Sequence, residues 1–278
     1  MQVYISADME GVSGLVDADD VQPPGRDYET GRLMMTEDVN AAVRGALAGG
    51  ASDVLVNDAH GPMRNLLPDR LHPAARLIRG RPKRMGMLAG LDSSSQAVIC
   101  VGFHARAGAL GVLSHSFMGH EIEDMWLDDN PVGEIGLLHA TATAIGSRVA
   151  LLTGDDAACA EMSDWDSAVA TVPVKYAHDR FAAKLRPMAQ AREAIETAAQ
   201  AAISHLDTSP SPRRTANPAT LAVRWQSSSV AATLTGIPGV TLRDSRTIEV
   251  RGEIPALYQL LYVFFRVATS LTNQPPYC

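Results

Sequence analysis

Strand-like apolar segments alternate with helical or irregular segments along most of the chain. Five of them are rich in apolar and β-branched residues: "QVYISAD", "SDVLVND", "ARLIRG", "SQAVICVGF" and "SRVALLTGD". The fourth and fifth are apolar on both faces, which is typical of strands in the middle of a parallel sheet. Because strands that alternate with helices form parallel sheets covered by helices, we predict an α/β fold.

The helical segments and a polar connector predict a chain in two parts. A helical stripe around Val39 ends at Gly49, and an alanine-rich helix follows much later at "MAQAREAIETAAQAAISHL". The proline- and serine-rich "DTSPSPRRTANP" then predicts a connector. Beyond it, the order strand, helix, strand, strand, helix is typical of a two-layer α+β unit. We predict a mainly parallel, three-layer α/β domain over residues 1–206 and a smaller α+β unit over 217–278, with an approximate boundary that allows a discontinuous unit.

Composition narrows the class of partner. The 278 residues carry a net charge of −7, and we find no basic block that would favour nucleic acid. The apolar stretches are too short or too interrupted to predict a membrane span, and the start of the chain does not resemble a signal peptide. Cys100, Cys159 and Cys278 are far apart and form no metal or disulfide pattern. We therefore expect a cytoplasmic protein without a nucleic-acid or membrane partner.

Two carboxylates, Asp8 and Glu10, follow the first strand with one residue between them. In an extended chain such residues point to the same side, with Cα atoms about 6.6 Å apart, so both can reach one ion or two neighbouring ions. Taken alone, this pattern favours a structural interpretation, with Asp8 as a turn residue and Glu10 in solvent.

Further strand ends favour a metal site. Asp58 and His60 follow the second strand, and His104 and Arg106 follow the fourth. The carboxyl ends of parallel strands meet at one edge of a sheet, where the ligands of α/β proteins bind. Three strand ends that supply carboxylates or imidazoles at this edge are better explained by a metal site than by separate structural roles.

Other polar residues follow in loops and at helix starts. His115 lies in the glycine-flanked "GVLSHSFMGHE", and Glu134 begins a helical segment after a turn. Their structural interpretations are a surface histidine and a carboxylate favoured by the helix dipole. Asp155 and Asp156 precede another helical segment and are expected to cap it. We assign no role to the remaining histidines outside this edge, His72, His139, His178 and His205.

Several of these motifs together resemble one enzyme family. They are "SADMEGVSG", "VLVNDAHG", "GFHARAG", "GVLSHS" and "PVGEIG", and the similarity extends over nearly the whole chain. The chain is similar to the zinc-dependent D-aminopeptidases found in bacterial dipeptide-transport operons. The resemblance implies two zinc ions per subunit, with Asp8 as the bridging ligand, His115 as the catalytic residue and a ring-shaped homodecamer with internal active sites. The metal ligands that it implies are Asp8, Glu10, His60, His104 and Glu134.

The expected activity follows from this resemblance. It is hydrolysis of short peptides or amides with a free N-terminal D-amino acid, D-Ala being favoured, by water that two zinc ions activate. Manganese, cobalt or iron would also suit a mixed imidazole and carboxylate site. We expect Asp58 to contact the substrate amine or to orient a ligand histidine. The stretch between His115 and Glu134 diverges from the family, and we expect it to form the pocket wall.

Two other classes of function remain open at the level of sequence. One is another two-metal hydrolase, such as an L-aminopeptidase, an amidase or a phosphoesterase. A phosphoesterase would need cationic side chains for phosphate, and Arg106 is the obvious one beside the proposed ligands. The other class is a binding protein with a structural metal. Structural zinc sites are usually closed and use Cys and His, so this carboxylate-rich set argues against that class.

Overall fold

The computed structural model describes residues 1–206 and 216–272. The strands are β1 (Gln2–Ala7), β2 (Asp53–Asp58), β3 (Ala75–Ile78), β4 (Ser95–Phe103), β5 (Ile122–Leu127), β6 (Asn130–Pro131), β7 (Arg148–Asp155), β8 (Ala170–Asp179), β9 (Ala182–Leu185), β10 (Ala219–Trp225), β11 (Thr241–Leu242) and β12 (Thr247–Gly252). The α-helices are α1 (Ala18–Val21), α2 (Tyr28–Ala48), α3 (Glu134–Ile145), α4 (Asp156–Trp165), α5 (Met188–Ser204), α6 (Ser228–Leu234) and α7 (Ile254–Thr272).

The larger sheet has the order β3-β2-β1-β4-β7-β8-β9 and is parallel except for β9, which pairs antiparallel with β8. Alternate side chains of β1 enter two hydrophobic cores. Val3 and Ile5 pack on the side of α2 and α5, and Tyr4 packs on the side of α3 and α4. A sheet with a core on each face forms the middle of three layers, so the predicted α/β class is confirmed.

The order in which successive strands join the sheet reverses at β1. The strand lies between β2 and β4, and later strands continue outward from β4. Ligands of open α/β sheets bind beside the carboxyl end of the strand where such a reversal occurs. Ala7, the last residue of β1, is in register with Asp58 and Val101. The residues that follow these three strands therefore share one edge of the sheet.

The second sheet has the order β11-β12-β10-β5-β6, and all its pairs are antiparallel. Its strands β5 and β6 come from residues 122–131, and the other strands come from residues 219–252. The sheet thus combines segments from both sides of the predicted boundary. The division into 1–206 and 217–278 stays a prediction, and residues 207–215 of the expected connector lie outside the described residues.

Helix α7 combines a buried face with an exposed one. By length and composition it is the one helix of the described chain that could cross a membrane. In this fold Leu257, Leu261 and Phe264 are buried, and the helix packs against α3, α6 and β12. Val263 on the opposite face is 48% exposed, so α7 is a half-buried helix of a folded protein rather than a fully enclosed one.

The hairpin of β8 and β9 was not predicted from the sequence, because Pro173 is not typical of a strand within a sheet. It brings Lys175 into the interior, where the side chain is fully buried. The ammonium of Lys175 donates to the carbonyl oxygens of Glu10 (2.5 Å), Val12 (3.0 Å) and Leu15 (2.5 Å). Burial lowers the pKa of Lys175 to about 8. This side chain holds the loop that follows β1.

We predict that Lys175→Met destabilises the protein. Methionine has a similar length but no donor, so three buried carbonyl groups lose their partner. Each abandoned acceptor costs about 1–3 kcal/mol, but the variant no longer buries a charge, which offsets part of that cost. We therefore expect the free energy of unfolding to fall by roughly 2–5 kcal/mol in urea denaturation. Lys184→Met on the exposed side of β9 is the matched control. Equal stability of the two variants would contradict this role for Lys175.

Candidate metal centre

Close contact between the ends of β1 and β4 places the first two carboxylates. The backbone N–H of Asp8 donates to the Val101 carbonyl at 2.8 Å, and the N–H of Gly11 donates to the Gly102 carbonyl at 2.8 Å. A Cβ atom on Gly11 would lie 1.8 Å from the Phe103 carbonyl oxygen. Gly102 has φ +74°, and its Cβ would lie 2.4 Å from the Asp8 carbonyl oxygen. The glycines therefore allow the loop that carries Asp8 and Glu10 to lie against the end of β4.

The loop after β2 positions His60. Asp58 accepts three hydrogen bonds, from the backbone N–H groups of Asn65 (2.6 Å) and Leu66 (2.8 Å) and from Asn65 Nδ2 (2.8 Å). Asn65 Nδ2 also donates to the His60 carbonyl at 2.7 Å. Asp58 therefore fixes the shape of this loop. Asp58 thus acts on His60 indirectly, through Asn65, and its predicted contact with a substrate amine stays a prediction.

Three histidines lie at the same edge, and each has one ring nitrogen bound to a backbone carbonyl. His60 Nε2 donates to Val21 at 2.7 Å, His104 Nδ1 to Ala105 at 3.0 Å and His115 Nδ1 to Leu113 at 2.9 Å. A carbonyl only accepts, so that nitrogen carries the hydrogen. In the neutral ring the other nitrogen presents a lone pair. Histidines that bind metals are commonly oriented in this way.

The remaining ring nitrogen of His60 and that of His104 each face two carboxylates. His60 Nδ1 lies 3.3 Å from Asp8 Oδ1 and 2.9 Å from Glu10 Oε2. His104 Nε2 lies 3.5 Å from Asp8 Oδ2 and 3.4 Å from Glu134 Oε1. Asp8 Oδ2 and Glu10 Oε2 are buried and accept no hydrogen bond. Lone pairs and carboxylates that face one another away from water require a cation between them.

The donor atoms form three groups, and two of these share Asp8. Asp8, Glu10 and His60 form the first, and Asp8, His104 and Glu134 form the second, with the atoms of each group within 4.8 Å of one another. All five predicted ligands are therefore brought together, and Asp8 occupies the shared position. This mixture of imidazole and carboxylate, without thiolates, suits a divalent ion with open coordination positions.

The charges of the cluster shift its titrations strongly. Burial and the neighbouring Glu10 charge raise the pKa of Asp8 to about 7. Burial alone would lower the pKa values of His60 and His104, but the surrounding carboxylates outweigh it and raise both well above the usual range. The cluster thus has a strong affinity for positive charge, whether a proton or a metal ion supplies it.

His115 lies beside these residues in a different environment. Its ring stacks on His104 with centroids 4.2 Å apart, and its Nε2 lies 3.9 Å from Glu134 Oε1. Its side chain is 16% exposed, against 6% or less for the five predicted ligands. Burial, together with the nearby His104, lowers the pKa of His115. A neutral histidine with Nε2 toward the cleft can accept a proton.

Glu134 is the first residue of α3, and its Oε1 accepts a hydrogen bond of 2.6 Å from the backbone N–H of Phe117. Phe117 has φ +55°, a backbone conformation that is uncommon for an aromatic residue. Its ring packs on Phe265 of α7 with centroids 5.0 Å apart. The Glu134 carboxylate is thereby linked to the aromatic pair of Phe117 and Phe265.

A cleft of about 770 Å³ opens onto the metal centre. Phe117, Met118 and His120 line it, so residues between His115 and Glu134 do contribute to its wall. Tyr262 and Phe265 of α7 complete the apolar side.

Four cations in the lining, Arg81, Lys83, Arg180 and Arg266, were missed from the sequence. The density of basic residues in "RGRPKR" was a signal for the first two, and it contradicts the expectation that no basic block is present. Arg106, expected beside the ligands, instead donates to the Ala107 carbonyl at 3.2 Å and lies 3.5 Å from Asp124.

Residues expected to have structural roles behave accordingly. Asp155 is the N-cap of α4 and accepts from the Ala158 N–H at 2.9 Å, as predicted. His139, to which we assigned no role at this edge, is buried in α3 and lies 2.9 Å from Asp166.

Comparison with known proteins gives the family. The sequence model of the M55 peptidases, described as D-aminopeptidase, matches residues 1–263. The chain belongs to the D-aminopeptidase family. This confirms the resemblance drawn from its motifs.

Individual relatives of the D-aminopeptidase family agree in sequence and in fold. A D-aminopeptidase of Bacillus subtilis (strain 168) is 41% identical over 191 residues, which is 69% of each chain. The solved structure of the zinc-dependent D-aminopeptidase DppA from Bacillus subtilis, described as a self-compartmentalizing protease, has a TM-score of 0.93 and 32% identity over 100% of both chains. The similarity to that structure includes both sheets.

We predict that replacing Asp8 lowers the metal content of the protein more than replacing His60 does. Asp8 belongs to both donor groups, whereas His60 belongs to one. Asp8→Ala should therefore lose both divalent ions, and His60→Ala should lose one. Elemental analysis after exhaustive dialysis measures the ratio of metal to chain, with the exposed His178→Ala as control. Equal metal content in Asp8→Ala and the wild type would contradict this assignment.

Proposed function

We propose that the protein is a zinc-dependent D-aminopeptidase that removes N-terminal D-residues from short peptides and amides. The observation that carries this proposal is the pair of donor groups that share Asp8 at the sheet edge of a D-aminopeptidase family member. Zinc is supported by the description of the relative as zinc-dependent and by the donor set itself. An L-aminopeptidase, an amidase or a phosphoesterase is less favoured, because the family and its relatives are D-aminopeptidases.

The ligands proposed for two zinc ions are Asp8, Glu10, His60, His104 and Glu134. Bound zinc supplies Lewis acidity, which lowers the pKa of water and polarises a carbonyl group. The backbone carbonyls of Val21 and Ala105 fix the ring orientations of His60 and His104. The near-complete burial of the five side chains keeps bulk water from competing for their lone pairs.

His115 is the proposed acid and base. Its Nδ1 hydrogen is held by the Leu113 carbonyl, so proton transfer takes place at Nε2, which is on the side of Glu134. Peptide hydrolysis requires that the departing amine gain a proton, and a histidine is suited to carry it near neutral pH. The stack on His104 restrains the ring at the mouth of the metal centre.

We further propose that the protein forms a homodecamer with internal active sites. The relative described as self-compartmentalizing supports oligomeric assembly. Large apolar side chains on the surface of the single chain also support it, among them Leu110 (72% exposed), Phe181 (54%) and Val263 (48%). A cytoplasmic location is proposed as well, because the buried Cys100 and Cys159 are free thiols.

We predict that His115→Ala lowers kcat by about 10²–10⁴-fold, the usual cost of losing an acid–base catalyst. The variant should keep its metal, because neither donor group that contains Asp8 includes His115. His120→Ala, which also removes a histidine from the cleft, is the control. Loss of metal would instead identify His115 as a ligand, for which the group Glu10, His104 and His115 offers the geometry.

Substrate preference tests the proposed activity most directly. We expect kcat/KM for D-Ala amide to exceed that for L-Ala amide and for N-acetyl-D-Ala amide at one fixed zinc concentration. The reason is that a side chain on the wrong face displaces the carbonyl from its attack position. A preference for the L-compound would contradict the D-specificity. Equal cleavage of the acetylated compound would contradict the aminopeptidase activity.

Assembly is tested with light scattering coupled to gel filtration. We expect a particle ten times the mass of one chain at micromolar concentration. Val263→Glu should reduce its size, because it introduces a charge into the exposed apolar face of α7. A monomeric wild type would contradict the proposed assembly.

A further inference from the structure

The cleft beside the metal centre is rich in cations that have no carboxylate partner. Arg81, Lys83, Arg180 and Arg266 line it. In the described part of the chain none of these four forms an ion pair, although nine other arginines do. The whole protein is acidic, with a net charge of −7. Positive charge is therefore concentrated locally, and it is available to an anion that enters the cleft.

Lys83 is the best placed of the four cations. Its Nζ donates to Asn57 Oδ1 at 2.6 Å and to the Asp58 carbonyl at 2.5 Å. Both acceptors are uncharged oxygens, so they orient the ammonium without neutralising it. The nearest carboxylate, that of Asp58, already accepts three hydrogen bonds from Asn65 and Leu66. An ammonium has three donors, and the third of Lys83 is left for a ligand.

The half-buried position of Lys83 supports a ligand-binding role. Loss of water around the side chain lowers its pKa to about 8, so the positive charge is held at a cost. Buried charges are normally paired, and a charge without a pair at the edge of a binding cleft indicates that the partner is supplied by the ligand.

We propose that Lys83 binds the C-terminal carboxylate of a short peptide substrate. This assignment rests on the proposed function, and it makes dipeptides and tripeptides better substrates than the corresponding amides. The ammonium lies against the carbonyl of Asp58, two residues before His60. In an extended dipeptide the carboxylate is one residue beyond the scissile carbonyl, a span of about 3.3–3.6 Å. A dipeptide held at the metal centre therefore needs a carboxylate-binding group about one residue from the scissile carbonyl, and Lys83 lines the same cleft as the proposed metal ligands.

A purely structural role for Lys83 makes a different prediction. Lys83 would then only bridge the end of β2 to the loop that contains Gly80 and Lys83 itself, and its removal would affect all substrates equally. Carboxylate recognition affects only substrates that possess a carboxylate. The two roles are separated by a ratio of rates rather than by activity itself.

The experiment compares D-Ala-D-Ala with D-alanyl-D-alaninamide, which share the scissile bond and differ only at the terminal carboxylate. Loss of the intact compound at low conversion gives kcat/KM for both, because D-Ala-D-Ala releases two molecules of D-Ala, whereas the amide releases one D-Ala and one D-alaninamide. In the wild type we expect the acid to be favoured by roughly 10- to 100-fold, the range for a hydrogen bond to a charged group. In Lys83→Met the ratio should fall to about 1, mainly through KM. Lys83→Arg should retain part of the preference, because the charge remains.

Lys184→Met is the matched control, because it removes the same charge from an exposed site outside the cleft. It should show the wild-type ratio. An equal loss of kcat/KM for both substrates in Lys83→Met would overturn the assignment. If that variant does not fold, the wild type alone decides, since equal kcat/KM for the acid and the amide overturns carboxylate recognition. Hydrolysis of neither compound by the zinc-loaded wild type would overturn the proposed function, and this assignment with it.

Discussion

Three buried carboxylates repel one another at the edge of the sheet, and contacts with the rest of the structure hold them together. Asp8 and Glu10 come from the loop after β1, Glu134 comes from the start of α3, and all three are almost fully buried. Their charges would separate if the chain were free to move, since like charges in a desolvated site strongly disfavour one another. Backbone contacts at Gly11 and Gly102 and the helix start at Glu134 prevent this. The fold thus holds a site that a divalent ion stabilises and water does not.

Support for this site comes from distant parts of the chain. Lys175 is 165 residues beyond Glu10 in sequence, yet its ammonium holds the carbonyl of that residue. Val21 supplies the acceptor for His60 from the short helix α1. Glu10 and His60 are therefore held by groups that their own local motifs do not contain, and such supporting contacts are common around metal ligands. This arrangement explains why the centre requires nearly the whole domain and not only its strand ends.

The sequence predicted the parts of the site that depend on periodicity. Apolar strands that end in Asp8, His60 and His104 indicated a shared sheet edge, and the structure confirms that these side chains meet there. The role of Lys83 was missed, because its position in the cleft depends on a loop whose path is set by tertiary contacts. The hairpin of β8 and β9 was missed because of Pro173, and the burial of Lys175 was missed because a buried lysine has the same sequence signature as an exposed one. Asp58 also follows a strand, but its partners are N–H groups of its own loop, a role that the sequence pattern alone does not distinguish from that of a ligand.

Between His115 and Glu134 the chain leaves the metal centre, forms β5 and β6 of the second sheet and returns. His115 and Glu134 thus both remain at the metal centre, and the segment between them contacts the aromatic side of α7 through Phe117. Changes in that segment would reshape the cleft without moving the strand ends that hold Asp8, His60 and His104. Substrate choice can therefore change in evolution while the residues of the metal centre stay the same. Relatives with the same metal centre can therefore differ in their substrates through changes in this one segment and in α7, which it contacts.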